Sequence, residues 1–137
     1  MGAVPTASTI NTRLVMIVCD DNLRFMQTLD SGSIDVIYCD ILFGTGNKFK
    51  DYDDPSFDGL SDIQEFYDPR YKEMKRLLKS SGLLYIHCDY KISHYTKIML
   101  DEIFGIENFR NEIIWHYNSA PRKKKDFGKR HDTIFRY

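Results

Sequence analysis

Asp35-Val-Ile-Tyr-Cys-Asp40-Ile-Leu-Phe43-Gly-Thr-Gly46 decides how the chain is read. With Ile34 before it, the segment up to Cys39 is an apolar run but for Asp35, the pattern expected of a buried strand of a parallel sheet. It ends in an acid, Asp40, followed by Ile41, Leu42 and the aromatic Phe43, and then by glycines that force a turn. Ligands of open α/β sheets bind beyond the carboxyl ends of their strands, so Asp40 stands where chemistry is expected.

Outward from this strand the pattern alternates. Leu14 to Cys19 is a short apolar run, expected as a strand. A short helix is expected from about Leu23 to Leu29, with Asp21 or Asp20 as N-cap. Residues 44–61 hold three glycines and the acids Asp51, Asp53, Asp54 and Asp58. A loop of that length in a compact domain is usually functional or disordered. A helix follows from about Asp62 to Lys79, kinked or restarted at Pro69, with Tyr71, Met74, Leu77 and Leu78 towards the sheet. Ser80-Ser-Gly82 ends it, and Leu83 to Cys88 is the next buried strand. Ser93 to Phe104 reads as an amphipathic helix with Tyr95, Ile98, Met99 and Ile103 inward, closed by Gly105. Ile113 to Tyr117 and Thr133 to Tyr137 are two further strands, with Trp115, Tyr117 and Tyr137 expected in the packing. The class is α/β, a sheet that is mainly parallel with a final antiparallel strand pair.

The chain has 137 residues, 42% hydrophobic and 28% charged, enough for one domain with a real core. No apolar run approaches the roughly 18 residues of a membrane helix, and residues 1–12 are expected to be a disordered lead-in. Cys19, Cys39 and Cys88 cannot all pair and form no metal spacing; nor do the four histidines. Buried free thiols and a reducing, cytoplasmic compartment are expected. The net charge of −1 hides an asymmetry: residues 108–137 carry 8 Lys/Arg against 3 Asp/Glu. Arg122, Lys123, Lys124, Lys125, Lys129 and Arg130 make that end suited to a polyanion.

Asp40, the carbonyl of Ile41 and the ring of Phe43 form a chemically coherent set. An exocyclic base amine is a weak nucleophile because its lone pair is delocalised into the ring. A carboxylate and a carbonyl can hold its hydrogens, while an aromatic face holds a base drawn from the stack.

The chain resembles the amino-methyltransferases of restriction–modification systems. Their pattern "Asp-Asn-Leu … Asp-Leu-Ile-Tyr-Ile-Asp-Pro-Pro-Phe-Asn-Thr-Gly" is matched by Asp21-Asn22-Leu23 and by the segment from Asp35 to Gly46. The match continues through Tyr71-Lys-Glu-Met74, Gly82-Leu-Leu-Tyr-Ile-His-Cys-Asp89, Ser93-His-Tyr, Leu100-Asp-Glu-Ile-Phe-Gly105, Asn108-Phe-Arg-Asn-Glu-Ile-Ile-Trp115 and Lys129-Arg-His-Asp-Thr-Ile-Phe-Arg-Tyr137. The resemblance implies a partial Rossmann-like methyltransferase sheet and methyl transfer from S-adenosyl-L-methionine to adenine N6 or cytosine N4 of double-stranded DNA. An acid at the first motif position is commoner in the adenine enzymes, so Asp40 points to adenine N6. Catalytic roles are implied for Asp40, Ile41 and Phe43, and cofactor contacts for Asp21 and Asp40.

Two departures from the family pattern carry expectations. Ile41 and Leu42 stand where paired prolines belong, which removes the fixed φ that aims the Ile41 carbonyl and brings branched side chains near the base pocket. The Phe-x-Gly-x-Gly cofactor loop is not among the 137 residues. Residues 13–137 are therefore expected to be the catalytic half of a truncated or split enzyme. Such a half would keep an exposed sheet edge, would self-associate when alone, and would be inactive without a separately encoded C-terminal half. A DNA-binding remnant without chemistry is the alternative.

Overall fold

A computed structural model describes residues 15–118 and 127–137. The expected lead-in 1–12 and the cluster Arg122–Lys125 lie outside the described residues. Helix α1 (Asn22–Met26) opens on Asp21, whose carboxylate accepts from Arg24 N at 3.1 Å, satisfying one of the orphan donors of the first turn. It is followed by β1 (Ile34–Asp40), α2 (Leu60–Leu77), β2 (Leu78–Asp89), α3 (Ser93–Phe104), a single 3-10 turn, β3 (Asn111–His116) and β4 (His131–Arg136).

The sheet order is β1-β2-β4-β3. β1 and β2 are parallel, and β4 runs antiparallel to both β2 and β3. Three strands thus share one direction and β4 alone opposes them. Because β4 sits between β2 and β3, this one reversed strand makes two of the three pairings antiparallel.

Packing explains where local signals and the structure part. α2 continues through Pro69 without restarting there. An interior proline costs about 3 kcal/mol, but Ile63 and Tyr67 before it and Tyr71, Met74 and Leu77 after it are all buried, so both halves are held to one core. β2 begins at Leu78, directly after the helix, so the expected turn at Ser80-Gly82 is absorbed into a bulge: Ile34 pairs with Leu78, and Val36 already pairs with Leu83. Gly82 is needed there, since a Cβ would lie 2.9 Å from both a Leu78 methyl and the Lys79 carbonyl.

Three expectations are corrected. Residues 15–19 form no strand, and Val15, Met16, Ile17 and Val18 are exposed, because among the described residues no strand lies alongside to take up their backbone groups. The inward face of α3 is Thr96, Met99 and Leu100, with Ile103 partly buried, whereas Tyr95 and Ile98 are exposed. Trp115 and Tyr117 are not core: β3 is an edge strand whose residues are all exposed. Tyr137 does pack as expected, its ring 5.4 Å from Phe109 and 5.8 Å from Phe104.

The core lies on one face of the sheet. Leu84, Ile86, Cys88, Phe135 and Tyr137 meet α2 and α3 there. Burial pushes the thiols up, Cys39 to about 11 and Cys88 to about 12, so both remain neutral packing groups.

Candidate active site

Asp40 is the last residue of β1 and pairs in register with His87 of β2. The ladder continues one step further, for Ile41 N donates to the His87 carbonyl at 3.1 Å. The side chain of Ile41 turns into the core and is only 7% exposed. Of the two branched residues expected to crowd a base pocket, Ile41 is thus drawn into the core, while Leu42 stays half-buried; both border the cavity described below.

The chain after Asp40 is anchored at every step but one. The Tyr67 hydroxyl, from α2, donates to the Leu42 carbonyl. Gly44 adopts φ +68°, and a Cβ there would meet the Phe57 ring at 2.5 Å, so only glycine fits. Asp54 accepts from Gly44 N at 3.0 Å, from Thr45 N at 2.8 Å and from the Thr45 hydroxyl. Asp54 as a whole is only 6% exposed, and these donors compensate the burial of its charge. The long loop is therefore ordered as an irregular hairpin, with bridges Thr45–Ser56 and Lys48–Asp53 and a stacked Phe49–Tyr52 pair at its tip. Hairpin and turn together border an open cavity of about 370 Å³ lined by Asp40, Phe43, Phe49, Tyr52 and Asp54 among others.

Asp40 keeps most of its carboxylate open to solvent, 63% exposed, with Oδ1 3.5 Å from His87 Nδ1. The ring of Phe43 tilts against His87 at 6.0 Å. The Tyr38 hydroxyl is 3.1 Å from the same Nδ1, and burial, followed by the charge of Asp40, raises its pKa. The other nitrogen of His87, Nε2, lies 3.3 Å from Asp132 of β4, and Asp132 in turn accepts from the Tyr117 hydroxyl at 3.3 Å. Asp40, Phe43 and His87 thus form one group at the carboxyl ends of the parallel strands. Asp89, also at a strand end, is turned instead to the backbone ahead of α3, accepting from Lys91 N and Ile92 N. Burial raises its pKa.

The remaining candidates stand apart from this group. Asp21 is bound to Arg24 N and to Arg70 at 2.7 Å, which together hold its pKa low, while its side chain remains half exposed. Lys129 places its ammonium 4.5 Å from the centre of the Tyr90 ring, and Arg130 is half-buried, its carbonyl accepting from Tyr117 N. Sequence reasoning did not single out Asp54, Tyr67, Tyr38 or Asp132. Asp132 sits inside the last matched segment. Tyr67 falls one helical turn before Tyr71, so its burial was legible and its bond to Leu42 was not.

Comparison with known proteins bears on the family and the fold. A family model described as "DNA methylase", for N6 and N4 methyltransferases, matches residues 34–137. The type II methyltransferase M.KpnI of Klebsiella pneumoniae is 30% identical over 149 residues, covering 100% of this chain and 35% of its own length. The chain therefore spans about a third of that relative. Among solved structures, the cytosine-N4-specific PvuII DNA methyltransferase superimposes with a TM-score of 0.57 at 14% identity, over 85% of this chain and 46% of that one. TTHA0409 of Thermus thermophilus, solved in complex with S-adenosyl-L-methionine, gives 0.55 at 15% identity, over 85% and 52%.

Proposed function

This chain belongs to the N6/N4 DNA methylase family, and from that premise we propose that it serves methyl transfer from S-adenosyl-L-methionine to an exocyclic amine of double-stranded DNA, adenine N6. The observation that carries the reading is the open carboxylate of Asp40 at the end of β1, beside Phe43 and a cavity. Asp40 and the Ile41 carbonyl accept the two amine hydrogens, which turns the nitrogen lone pair out of conjugation. Phe43 offers its face to the extruded base. As the nitrogen's bond to the methyl carbon formed, the carbon–sulfur bond would break with its electron pair left on a neutral thioether sulfur, and Asp40 would take up the proton that the nitrogen loses.

The cofactor supplies a methyl group on a cationic sulfur. Half-exposed carboxylates suit such a cation, and Asp40 and Asp21 offer them at 63% and 53% exposure. Asp40 is the better placed, because Asp21 is already committed to Arg70. We assign the main cofactor loop to sequence outside these 137 residues, which span about a third of the M.KpnI relative, with a separately encoded C-terminal half as the arrangement tested below. The uncovered face of the sheet, with Val36, Tyr38, Ile113 and Trp115 exposed, favours that arrangement. Arg122, Lys123, Lys124, Lys125, Lys129 and Arg130 are the proposed phosphate contacts. No helix among the described residues is long and apolar enough to cross a membrane, and a cytoplasmic location is proposed with the rest.

The test mixes the purified chain with duplex DNA and labelled S-adenosyl-L-methionine, alone and with the polypeptide encoded immediately downstream. Label is expected in adenine only when both chains are present, and is expected to vanish with Asp40→Ala. Transfer that survives Asp40→Ala would overturn the assignment of the site. Salt-sensitive DNA retention with no transfer in any mixture would replace it with the non-catalytic binding remnant.

A further inference from the structure

We infer that Asp54 and Tyr67 are positioning residues that hold the Asp40–Phe43 turn, doing by hydrogen bonds what paired prolines do by covalent restraint. The inference rests on reading that turn as the amine-holding one. Prolines at the two middle positions would fix φ at both and remove both N–H groups. This chain uses the first of those N–H groups: Ile41 N is bonded to the His87 carbonyl at 3.1 Å, a bond proline cannot make. The substitution therefore changes how the turn is held, and it does not leave the turn free.

The anchors come from three separate elements. β2 holds residue 41 through the His87 carbonyl, α2 holds residue 42 through the Tyr67 hydroxyl, and the far side of the hairpin holds residues 44 and 45 through Asp54. The catalytic aromatic, Phe43, is thus bracketed on both sides. Asp54 gives the sharper argument. A buried aspartate is a poor choice for packing, yet here its carboxylate gathers two consecutive peptide N–H groups and a hydroxyl from the residues just after Phe43. Loosening either anchor lets the Ile41 carbonyl and the Phe43 ring drift relative to the Asp40 carboxylate. A misplacement of about 1 Å costs on the order of a hundredfold in rate.

Amide hydrogen exchange on the full chain tests the anchor without any methyl transfer. In Asp54→Ala the Gly44 and Thr45 amides should exchange about tenfold faster or more, the equivalent of one lost hydrogen bond. The Leu84 and Tyr137 amides, which bond each other's carbonyls at 3.0 Å, should not change. Asp54→Asn, which keeps one acceptor oxygen, should fall between. With the complementing chain present, Asp54→Ala and Tyr67→Phe should lower kcat about ten- to a hundredfold with KM for DNA unchanged. Unchanged exchange at both amides would overturn the inference, as would faster exchange with an unchanged kcat. A wild-type chain that transfers no methyl group counts against the proposed function only, because the exchange result judges the anchor by itself.

Discussion

The two faces of this sheet differ in almost every respect. On one, Leu84, Ile86, Cys88, Thr133 and Phe135 are each at most 3% exposed beneath α2 and α3. On the other, Val36 and Tyr38 of β1 and Ile113 and Trp115 of β3 stand 40–59% exposed, with no helix among the described residues over them. Strand alternation sends neighbouring residues to opposite faces, so Ile86 lies in the core while His87 beside it reaches Asp40. The covered face holds the fold together, and the open face with its carboxyl edge carries the groups that can meet a ligand or a partner.

The strongest test of that division is a pair of truncations. Ile86→Ala removes buried methyl groups under the helices and should cost about 2–5 kcal/mol of unfolding free energy. Trp115→Ala removes a far larger side chain from the open face and should change stability by about 0.5 kcal/mol or less. Chemical denaturation of both variants decides it; a comparable loss in each would mean that the open face is packed in solution.

How much of this was legible in the sequence follows the same division. β1, its terminal acid and the aromatic after it are placed by the apolar run, but the burial expected on both of its faces is not met: Val36 and Tyr38 are 54% and 57% exposed because nothing described covers that face. The limits of α3 were readable from Ser93 and Gly105. The open face is where sequence and structure part: Trp115 and Tyr117 there, and residues 15–18 outside the sheet, are apolar enough for a core, but composition does not say whether a covering layer exists. Asp54 was one acid among four in a glycine-rich loop, and nothing local separates the buried carboxylate from its solvated neighbours. The bond between Tyr67 and Leu42 joins residues 25 apart, and only the packing of α2 against the turn brings them together.

A smaller effect is expected where the two faces meet at the turn. Tyr67→Phe keeps the stacked ring against Tyr71, at 5.6 Å, and removes only the hydroxyl that caps the Leu42 carbonyl. The loss should be about 1 kcal/mol, well below that of Ile86→Ala. A thermal melt indistinguishable from wild type would show that water replaces the hydroxyl, and the turn would then belong with the open face.

Acid sensitivity separates the faces further. Burial raises the pKa of Asp101, but bonds from Lys97 and from the Tyr137 hydroxyl outweigh it and bring the value below the ordinary 3.8. A depressed folded-state pKa contributes stability above the unfolded value, and that contribution is lost as pH falls through the folded value. Asp101→Asn should therefore be less stable than wild type at pH 6, with the gap closing below about pH 4. A gap that persists unchanged at pH 3 would point to lost packing instead of lost charge.

The smallest effect on stability should come with a clear change in association. Trp115 and Ile113 share a face with Val36 and Tyr38, and β1 and β3 are the two edges of the sheet. Unpaired edges next to exposed apolar side chains template pairing between chains. Trp115→Glu adds a charge to that face without touching the core, so unfolding free energy should move by only about 0.5 kcal/mol. Sedimentation of the isolated chain should nevertheless shift from self-associated species towards monomer. If wild type and variant are both monomeric, the exposed face is tolerated by itself and the argument for a covering partner weakens. If both associate equally, the contact runs through the β1 edge, and Val36→Lys becomes the variant that should dissolve it.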